Sequence, residues 1–431
     1  MIKTKGKSSF PSQAVPDIEK SSLDYGLQVA KAIESEWFKQ DQGRSRYYDT
    51  ANHFHELKLY ARGEQSIQKY KDELSINGDL SYLNLDWKPV PIIPKFVDIV
   101  VNGISERLYK IKAFSQDPIA AQKRTDYIEN MLEDMQFKTF KNNVQAQTGL
   151  NTFNNDPEKL PENDEELSVH MQLDYKQSIE IAEEEALDNI MNLNKYSLIK
   201  KRLDYDLAVL GIACVKNSFN TAEGIKIEYT DPSKIVYSYS ESPYFDDLYY
   251  FGEVKRTSIT DLKKQFPELT PEQIEDLEKK YSDSKYDKYV YYPEDSQNTH
   301  YVNVLYFEYK TFHNQVYKVK QTASGASKAL KKDDTFNPPK DSRARFERVQ
   351  RSIEVLYAGV KILGHDILLD WKMCENMTRP KSDITKVAMS YNLVAPRMYK
   401  GRPESLVSRM TTFADMIQLT HLKLQQVMSR M

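Results

Sequence analysis

Apolar residues recur every three or four positions through most of the first 210 residues, which is the spacing of amphipathic helices. A first helix is predicted from Leu23 to a stop at Gly43, and RSRYYDTANHFHELKLYARG predicts a second that ends at Gly63. SIQKYKDEL predicts a short third helix, and Pro94 suits the first turn of a more apolar fourth. Six residues of this fourth helix share a face that we expect to be core: Ile93, Val97, Val100, Val101, Ile104 and Leu108.

The helical period continues beyond this segment. Residues 117–143 predict a helix that opens at Asp117, a capping residue followed by a proline. Residues 144–161 lack a period and predict a loop. A long acidic helix is expected over about 162–194, and KYSLIKKRLDYDLAVL predicts another that ends at Gly211.

After Gly211 the pattern changes to alternation, which is typical of half-buried strands. IACVKNSF, GIKIEYT, KIVYSY and YYFGEVKRT predict strands, and SITDLKKQF and PEQIEDLEKKY predict two short helices. YVNVLYFEYKTF and QVYKVKQT predict a hairpin that turns around His313-Asn314-Gln315. SRARFERVQRSIEVLYAGVKILGHDILLDW predicts two strands that meet at a turn near Gly359 and Gly364.

The chain closes with a long predicted helix from about Pro403 to Arg430. Nothing caps this helix at Met431, as expected of a truncated chain. Six apolar residues form its predicted stripe: Leu406, Met410, Phe413, Ile417, Leu424 and Met428. Together these patterns predict an α+β fold that is mainly helical.

Composition adds a constraint on function. In 431 residues, hydrophobic side chains make up 40% and charged side chains 29%, as expected of an elongated subunit that hides surface against its neighbours or of a globular protein with disordered segments. The net charge of −3 provides no overall basic field that would hold nucleic acid tightly. It is compatible with a conduit through which DNA slides.

The N-terminus and the cysteines bear on cellular location. Residues 1–22 are polar and predict a flexible arm without the apolar core of a signal peptide. No apolar run is long enough for a membrane span, so no membrane partner is expected. Cys214 and Cys374 are too few for a disulfide framework and are expected as buried thiols of a protein made in a cytoplasm.

The sequence contains none of the catalytic motifs that form glycine-rich phosphate loops, zinc-binding helices or nucleophile elbows. His53 and His55 diverge on a helix and cannot share a metal ion. The acidic runs at 164–166 and 183–185 consist of adjacent residues, whose side chains point about 100° apart on a helix. We therefore expect no catalytic residue, metal or cofactor. A nucleic-acid-processing enzyme with a dispersed acidic metal site is the alternative.

The order of elements resembles that of portal proteins of tailed double-stranded DNA bacteriophages. LDYDLAVLGIACVKNSFNTAEGIKIEYTDPSKIVY looks like the portal order of helix, glycine, strand and Asp-Pro before a further strand. PIIPKFVDIVVNGISERLY and VKRTSITDLKKQFPEL look like two further portal segments, a core helix and a strand that leads into a helix. YVNVLYFEYKTF resembles a strand of podovirus-type portals, although Lys310 stands where that pattern has tryptophan. Tyr399-Lys400-Gly401 looks like the return into the tunnel helix.

The resemblance covers about residues 90–431, and the Tyr-, Asn- and Lys-rich style is similar to portals of crAss-like phages of Bacteroides. It implies a ring of twelve copies at one capsid vertex of the virion, within the major capsid protein shell. It also implies that the terminase large subunit docks there during packaging, that a neck or tail adaptor docks afterwards, and that double-stranded DNA passes through without sequence preference. Another head-tail connector component is a further alternative.

On this resemblance the chain divides into a helical wing region (23–210), a β-rich segment (211–256), a stem and clip region (257–345), a β-rich wing segment (346–400) and a tunnel-side helix (401–431). The candidate partner contacts lie in two polar segments: Tyr291, Tyr292, Lys328, Lys331, Lys332, Arg343, Arg345 and Arg348. The basic members could also touch phosphates, or form a solvated loop. Arg402 and Arg409 are the candidates for proximity to DNA.

Overall fold

The computed structural model describes residues 9–39, 45–75, 85–106, 110–115, 117–156, 160–173, 175–282, 301–321, 327–337 and 346–428. The α+β class is confirmed, with 46% of the described residues in helices and 23% in sheets. The chain divides into two compact units. Unit 1 comprises Met1–Glu106 and Leu198–Met431, and unit 2 comprises Arg107–Ser197.

The helices are α1 (Asp17–Lys20), α2 (Leu23–Trp37), α3 (Arg46–Arg62), α4 (Gln68–Leu74), α5 (Ile93–Ser105), α6 (Pro118–Gln136), α7 (Lys138–Thr148), α8 (Asp164–Leu173), α9 (Ser178–Leu193), α10 (Tyr196–Val209), α11 (Ile259–Gln265), α12 (Pro271–Ser282) and α13 (Leu406–Met428). The strands are β1 (Ala213–Asn220), β2 (Gly224–Thr230), β3 (Ile235–Tyr237), β4 (Tyr250–Ser258), β5 (Tyr301–Gln321), β6 (Ser327–Lys332), β7 (Phe346–Ile362), β8 (Leu368–Met373), β9 (Tyr391–Val394), β10 (Met398–Tyr399) and β11 (Arg402–Pro403).

Most helices begin and end where local chemistry predicts. The hydroxyl groups of Ser22 and Ser45 accept backbone N–H bonds at the starts of α2 and α3, which satisfies donors that a helix leaves free. Gly63 ends α3 with φ of 72°, a conformation that costs glycine little. The predicted start of α2 at Leu23 and the predicted end of α3 at Gly63 are therefore confirmed, whereas α2 ends at Trp37, before the predicted stop at Gly43, which lies outside the described residues.

The largest sheet is antiparallel, with the order β3-β4-β5-β7-β8 and with β6 paired to β5. A second sheet has the order β2-β1-β9, and β10 and β11 form a small hairpin. The large sheet collects strands from three predicted segments (211–256, 257–345 and 346–400), so these segments share one sheet rather than forming separate bodies.

The hairpin predicted around His313 is wrong, because β5 runs through this position as one strand. No glycine or proline supplies a turn here. Instead His313 pairs with Ile353 and Asn314 with Ser352 on β7, and the Ser352 hydroxyl donates to the Asn314 side chain at 2.7 Å. The turn predicted near Gly364 is confirmed, since β7 ends at Ile362 and β8 begins at Leu368.

An aromatic layer joins helix α2 to this sheet. The rings of Phe307 and Tyr357 stack on that of Trp371, with centroids 5.8 and 5.0 Å apart. The indole N–H of Trp37 on α2 donates to the buried Tyr250 hydroxyl at 2.9 Å. Buried aromatic rings with satisfied polar ends make this layer the centre of the unit 1 core.

Residues 9–22 pack on unit 1, in contrast to the predicted flexible arm; residues 1–8 lie outside the described residues. Phe10 stacks on Tyr309 with centroids 5.9 Å apart. Lys20 is 1% exposed and donates from Nζ to the carbonyl of Phe312 at 2.5 Å. The indole N–H of Trp371 donates to the Lys20 carbonyl at 2.9 Å. Side-chain contacts therefore hold residues 9–22 in place, although their polar composition predicts a flexible segment.

Unit 2 has a small apolar core and a buried carboxylate. Its core cluster contains Met131, Phe153, Leu160 and Leu167. Beside it, Asp134 accepts bonds from Lys141 Nζ at 2.7 Å and from the backbone N–H groups of residues 154 and 155. Burial acts to raise the pKa of Asp134, but these hydrogen bonds outweigh it, and the pKa is lowered.

The long acidic helix predicted over 162–194 is wrong in its continuity, because it is two helices, α8 and α9. Gln177 and Glu180 form a capping box that starts α9. The predicted loop over 144–161 is also shorter, since α7 extends to Thr148 and ends at Gly149 with φ of 69°.

A buried acid links α10 to β2 in unit 1. Asp206 accepts a hydrogen bond from the Tyr229 hydroxyl at 2.6 Å. Burial raises the pKa of Asp206 to about 6, against an ordinary value of 3.8. The nearby Asp231 is paired instead, with Lys58 Nζ at 3.2 Å.

We predict that Gly359→Ala destabilises the protein by about 1–3 kcal/mol, since overpacking a filled core costs about that much. An added Cβ would lie 2.5 Å from Cζ of Phe307 and 2.9 Å from Trp371. Gly103→Ala is the matched control, because its Cβ would meet nothing within 4 Å. Urea unfolding checks both variants. Equal urea midpoints for Gly359→Ala and Gly103→Ala would contradict the packing described for the aromatic layer.

We predict that unfolding free energy responds to pH through Asp206. Its folded-state pKa of about 6 lies above the unfolded value of 3.8, so between these values the folded state keeps a proton that the unfolded state loses. The contribution of Asp206 to the free energy of unfolding therefore falls as the pH rises from 3.8 to about 6. The free energy of unfolding of Asp206→Asn, taken relative to that of wild type, should therefore increase by about 2–3 kcal/mol between pH 4 and 7. A constant difference across urea titrations at each pH would refute this.

Candidate interaction surfaces

Helix α13 presents two apolar faces. One face is buried in unit 1 and contains Val407, Ala414 and Leu422. The other is exposed, and its apolar residues follow helical spacing: Phe413, Met416, Leu424, Val427 and Met428. Leu424 is 57% exposed, so this face has no cover among the described residues.

Polar contacts fix the rotation of α13 about its axis. The side chain of Gln418 is buried and accepts the backbone N–H of Val90 at 2.8 Å. Asp415 accepts hydrogen bonds from the hydroxyl groups of Tyr60 and Tyr70 at 2.8 and 2.7 Å. These bonds hold the opposite apolar face outward.

The apolar stripe predicted for α13 lies on the side of the helix that faces away from the core. Phe413, Leu424 and Met428 of that stripe are exposed, whereas Gln418 is buried. The sequence pattern does not show which side is buried, because the helix is apolar on two sides and because Gln418 is buried through its bonds to backbone groups.

Helix α5 adds a second exposed apolar surface. Ile93 and Val97 are buried as predicted, but Val100 and Ile104 are exposed, and Leu108 lies outside the described residues. Phe96 and Ile99 are exposed too, Ile99 by 60%. α5 packs against both α3 and α13 within unit 1. Exposed apolar surface on two neighbouring helices is typical of a protein interface.

A basic surface lies where β5, β6 and β7 extend together. Residues 316–351, taken as sequence, contain ten Lys and Arg residues against four Asp and Glu residues. Lys318 pairs with Leu330 on β6 and with Arg348 on β7. Because side chains alternate between the faces of a sheet, four cations with described side chains share one face, which we call the basic face: Lys318, Lys328, Lys332 and Arg348.

A short segment after β6 lies on the basic face. Arg348 donates to the Asn337 side chain at 2.8 Å and to the Asp334 carbonyl at 2.9 Å. The ring of Phe336 lies 5.9 Å from Nζ of both Lys318 and Lys332. Arg348 is therefore a structural clamp as well as a surface cation.

The predicted contact residues are only partly brought together. Lys328, Lys332 and Arg348 share the basic face, whereas Lys331 pairs with Tyr317 and points to the opposite face. Four other predicted contacts lie outside the described residues: Tyr291, Tyr292, Arg343 and Arg345. Lys318 is not among the predicted contact residues. Because Val316 and Lys318 are two residues apart in β5, they lie on the same face, opposite Lys332 and Leu330 of β6.

Arg402 and Arg409, the predicted DNA-proximal residues, are both exposed. Arg402 lies in the β10–β11 hairpin, where it pairs with Tyr399, and Arg409 lies in the first turns of α13. Their exposure leaves both guanidinium groups available to a polyanion.

In the part of the chain that the structure describes, no cluster of three or more His, Cys, Asp or Glu could hold a metal ion. Glu308 is buried, which raises its pKa, and it accepts the Ser390 N–H at 3.0 Å. Burial likewise raises the pKa of the Cys374 thiol to about 12. Within the same described residues, no helix is both long and apolar enough to span a bilayer.

A cleft of about 890 Å³ lies between the 244–249 turn and the 378–392 segment. One of the cations that line it, Arg379, donates to the carbonyl groups of Glu354, Ile384, Thr385 and Lys386. These bonds give Arg379 a structural role in joining the 378–392 segment to β7.

Comparison with protein-family models and with curated proteins found no matching family and no similar sequence.

We predict that Arg348→Met loosens the 333–337 segment on the basic face, because both hydrogen bonds of the guanidinium group are lost. Hydrogen–deuterium exchange of these residues should accelerate several-fold. Arg351→Met, on the opposite face of β7, is the matched control and should leave exchange unchanged. Unaltered exchange in Arg348→Met would contradict the clamp.

Proposed function

We propose that this chain is a portal subunit of a tailed double-stranded DNA phage, of the crAss-like type. Copies form a ring, expected to contain twelve, at one capsid vertex of the virion. The observation that carries the proposal is the exposed apolar surface on α13 and α5. A monomer would leave this surface in water, whereas a ring buries it between neighbours.

The order of the elements supports the same proposal. α10 leads through Gly211 into β1, and β2 is followed by Asp231-Pro232 before β3, as in the portal pattern. The close approach of Gly211 to the backbone of Glu404, where an added Cβ would lie at 2.7 Å, joins this segment to the start of α13. The segments that carry the sequence resemblance thus lie together in unit 1.

In this proposal the ring acts by mechanics rather than by catalysis. DNA passes through the ring without base-specific contacts, which suits a chain whose net charge is −3. Arg402 and Arg409 offer weak phosphate contacts along its path. The basic face and the segments around it dock the terminase large subunit during packaging and the neck or tail adaptor afterwards, and the major capsid protein surrounds the ring.

The test is the assembly state of the purified full chain. Electron microscopy and mass photometry should detect closed rings or arcs of several copies. Leu424→Glu should shift the population to monomers, because it places a charge in the buried interface without touching the core. Thr412→Glu, which adds the same charge at an exposed polar position of α13, should assemble as wild type.

Thermal unfolding of each variant shows whether a monomer results from lost assembly or from misfolding. A wild-type chain that stays monomeric at every salt concentration and protein concentration tested would overturn the proposal. Equal assembly of Leu424→Glu and wild type would exclude α13 as the interface.

A further inference from the structure

Strand β6 leaves one edge of the large sheet open. Its residues, Ser327–Lys332, are all exposed, and they pair with β5 from Val316 opposite Lys332 to Gln321 opposite Ser327. Among the described residues, no strand pairs with the other edge of β6. Every second backbone N–H and C=O group on that edge therefore points away from the sheet.

The side chains along β6 restrict what can pair with this edge. Lys328 and Lys332 lie on the basic face, and Lys331 lies on the opposite face. An added strand would meet positive charge on both of its faces. A second copy of β6 would bring lysines against lysines, which disfavours self-pairing, whereas a strand with carboxylates would find matching charge.

An apolar side chain in the middle of the strand distinguishes a protein partner from DNA. Leu330 is 63% exposed and lies between Lys328 and Lys332 on the basic face. Protein interfaces combine apolar contacts with a charged rim, while phosphate-binding surfaces use cations and polar groups. Leu330 can contact an apolar residue of a partner strand but gains nothing from a phosphate.

We propose that the open edge of β6 is a docking site for an extended acidic segment of a partner protein. The segment adds a strand to the sheet, and its carboxylates pair with Lys328, Lys331 and Lys332. An apolar residue between the carboxylates packs on Leu330. This docking site does not depend on the proposed ring, since it requires only β6 and its neighbours in one copy.

The first experiment measures binding of a fluorescent synthetic peptide that contains Glu-Glu-Val-Thr-Glu. In an antiparallel strand this order places the glutamates opposite Lys332, Lys331 and Lys328 and the valine opposite Leu330. The wild-type chain should bind it, and the Lys328→Glu, Lys331→Glu, Lys332→Glu triple variant should bind about tenfold more weakly or worse, since exposed ion pairs contribute modestly but add over three sites. The matched control reverses Lys263, Lys264 and Lys279 on α11 and α12, which changes the net charge equally. It should bind as wild type.

The second experiment separates strand addition from simple charge attraction. Two peptides with the same side chains carry N-methyl groups on either set of alternate backbone amides, and one of the two should lose binding because it cannot donate to β6. Hydrogen–deuterium exchange should show new protection of β6 amides with the parent peptide. Equal binding of all three peptides, or no added protection, would overturn the proposal.

A short duplex DNA is the competing probe. It should compete weakly with the acidic peptide, and Leu330→Ser should weaken peptide binding without changing DNA binding. Tighter binding of the duplex than of the peptide, with the same loss in the lysine triple variant, would show a phosphate-binding surface and overturn the proposal.

Discussion

The antiparallel register between β5 and β7 is the constraint on which most of unit 1 depends. It runs without interruption from Val304 opposite Ile362 to Val319 opposite Glu347. One end of this pair carries the aromatic layer that receives α2, and the other end carries the basic face. Because side chains alternate strictly along paired strands, a slip by one residue would move Lys318 and Arg348 off the basic face and Phe307 out of the core.

The same unit holds its helices by a few buried polar contacts and leaves large apolar surfaces exposed. Gln418 and Asp415 determine which side of α13 faces the core, and the residues left outside are apolar. Exposing such a surface to water is unfavourable, and in the proposed ring a neighbouring copy would cover it. Charge is divided as well: unit 2 contains ten basic and seventeen acidic residues, whereas the 316–351 segment is strongly basic. The net charge of −3 for the whole chain therefore conceals an acidic unit 2 and a basic 316–351 segment.

Much of the fold could be predicted from the sequence, because helix caps and alternating strands are local signals. Ser22, Ser45, Gly63 and Gly211 mark real element boundaries. The failures depend on distant contacts. His313 continues a strand because β7 lies beside it. For the candidate surfaces, composition identified the basic segment but did not show that residues 327–332 form a strand, which is what places Lys331 on the face opposite Lys332.

The central claim is that copies of this chain assemble through the exposed faces of α13 and α5. A cryo-electron microscopy reconstruction of the purified full chain tests it most directly. The account predicts a closed ring in which Phe413, Met416 and Leu424 of one copy are buried against its neighbour. A monomer, or an assembly in which these side chains remain in solvent, would contradict it.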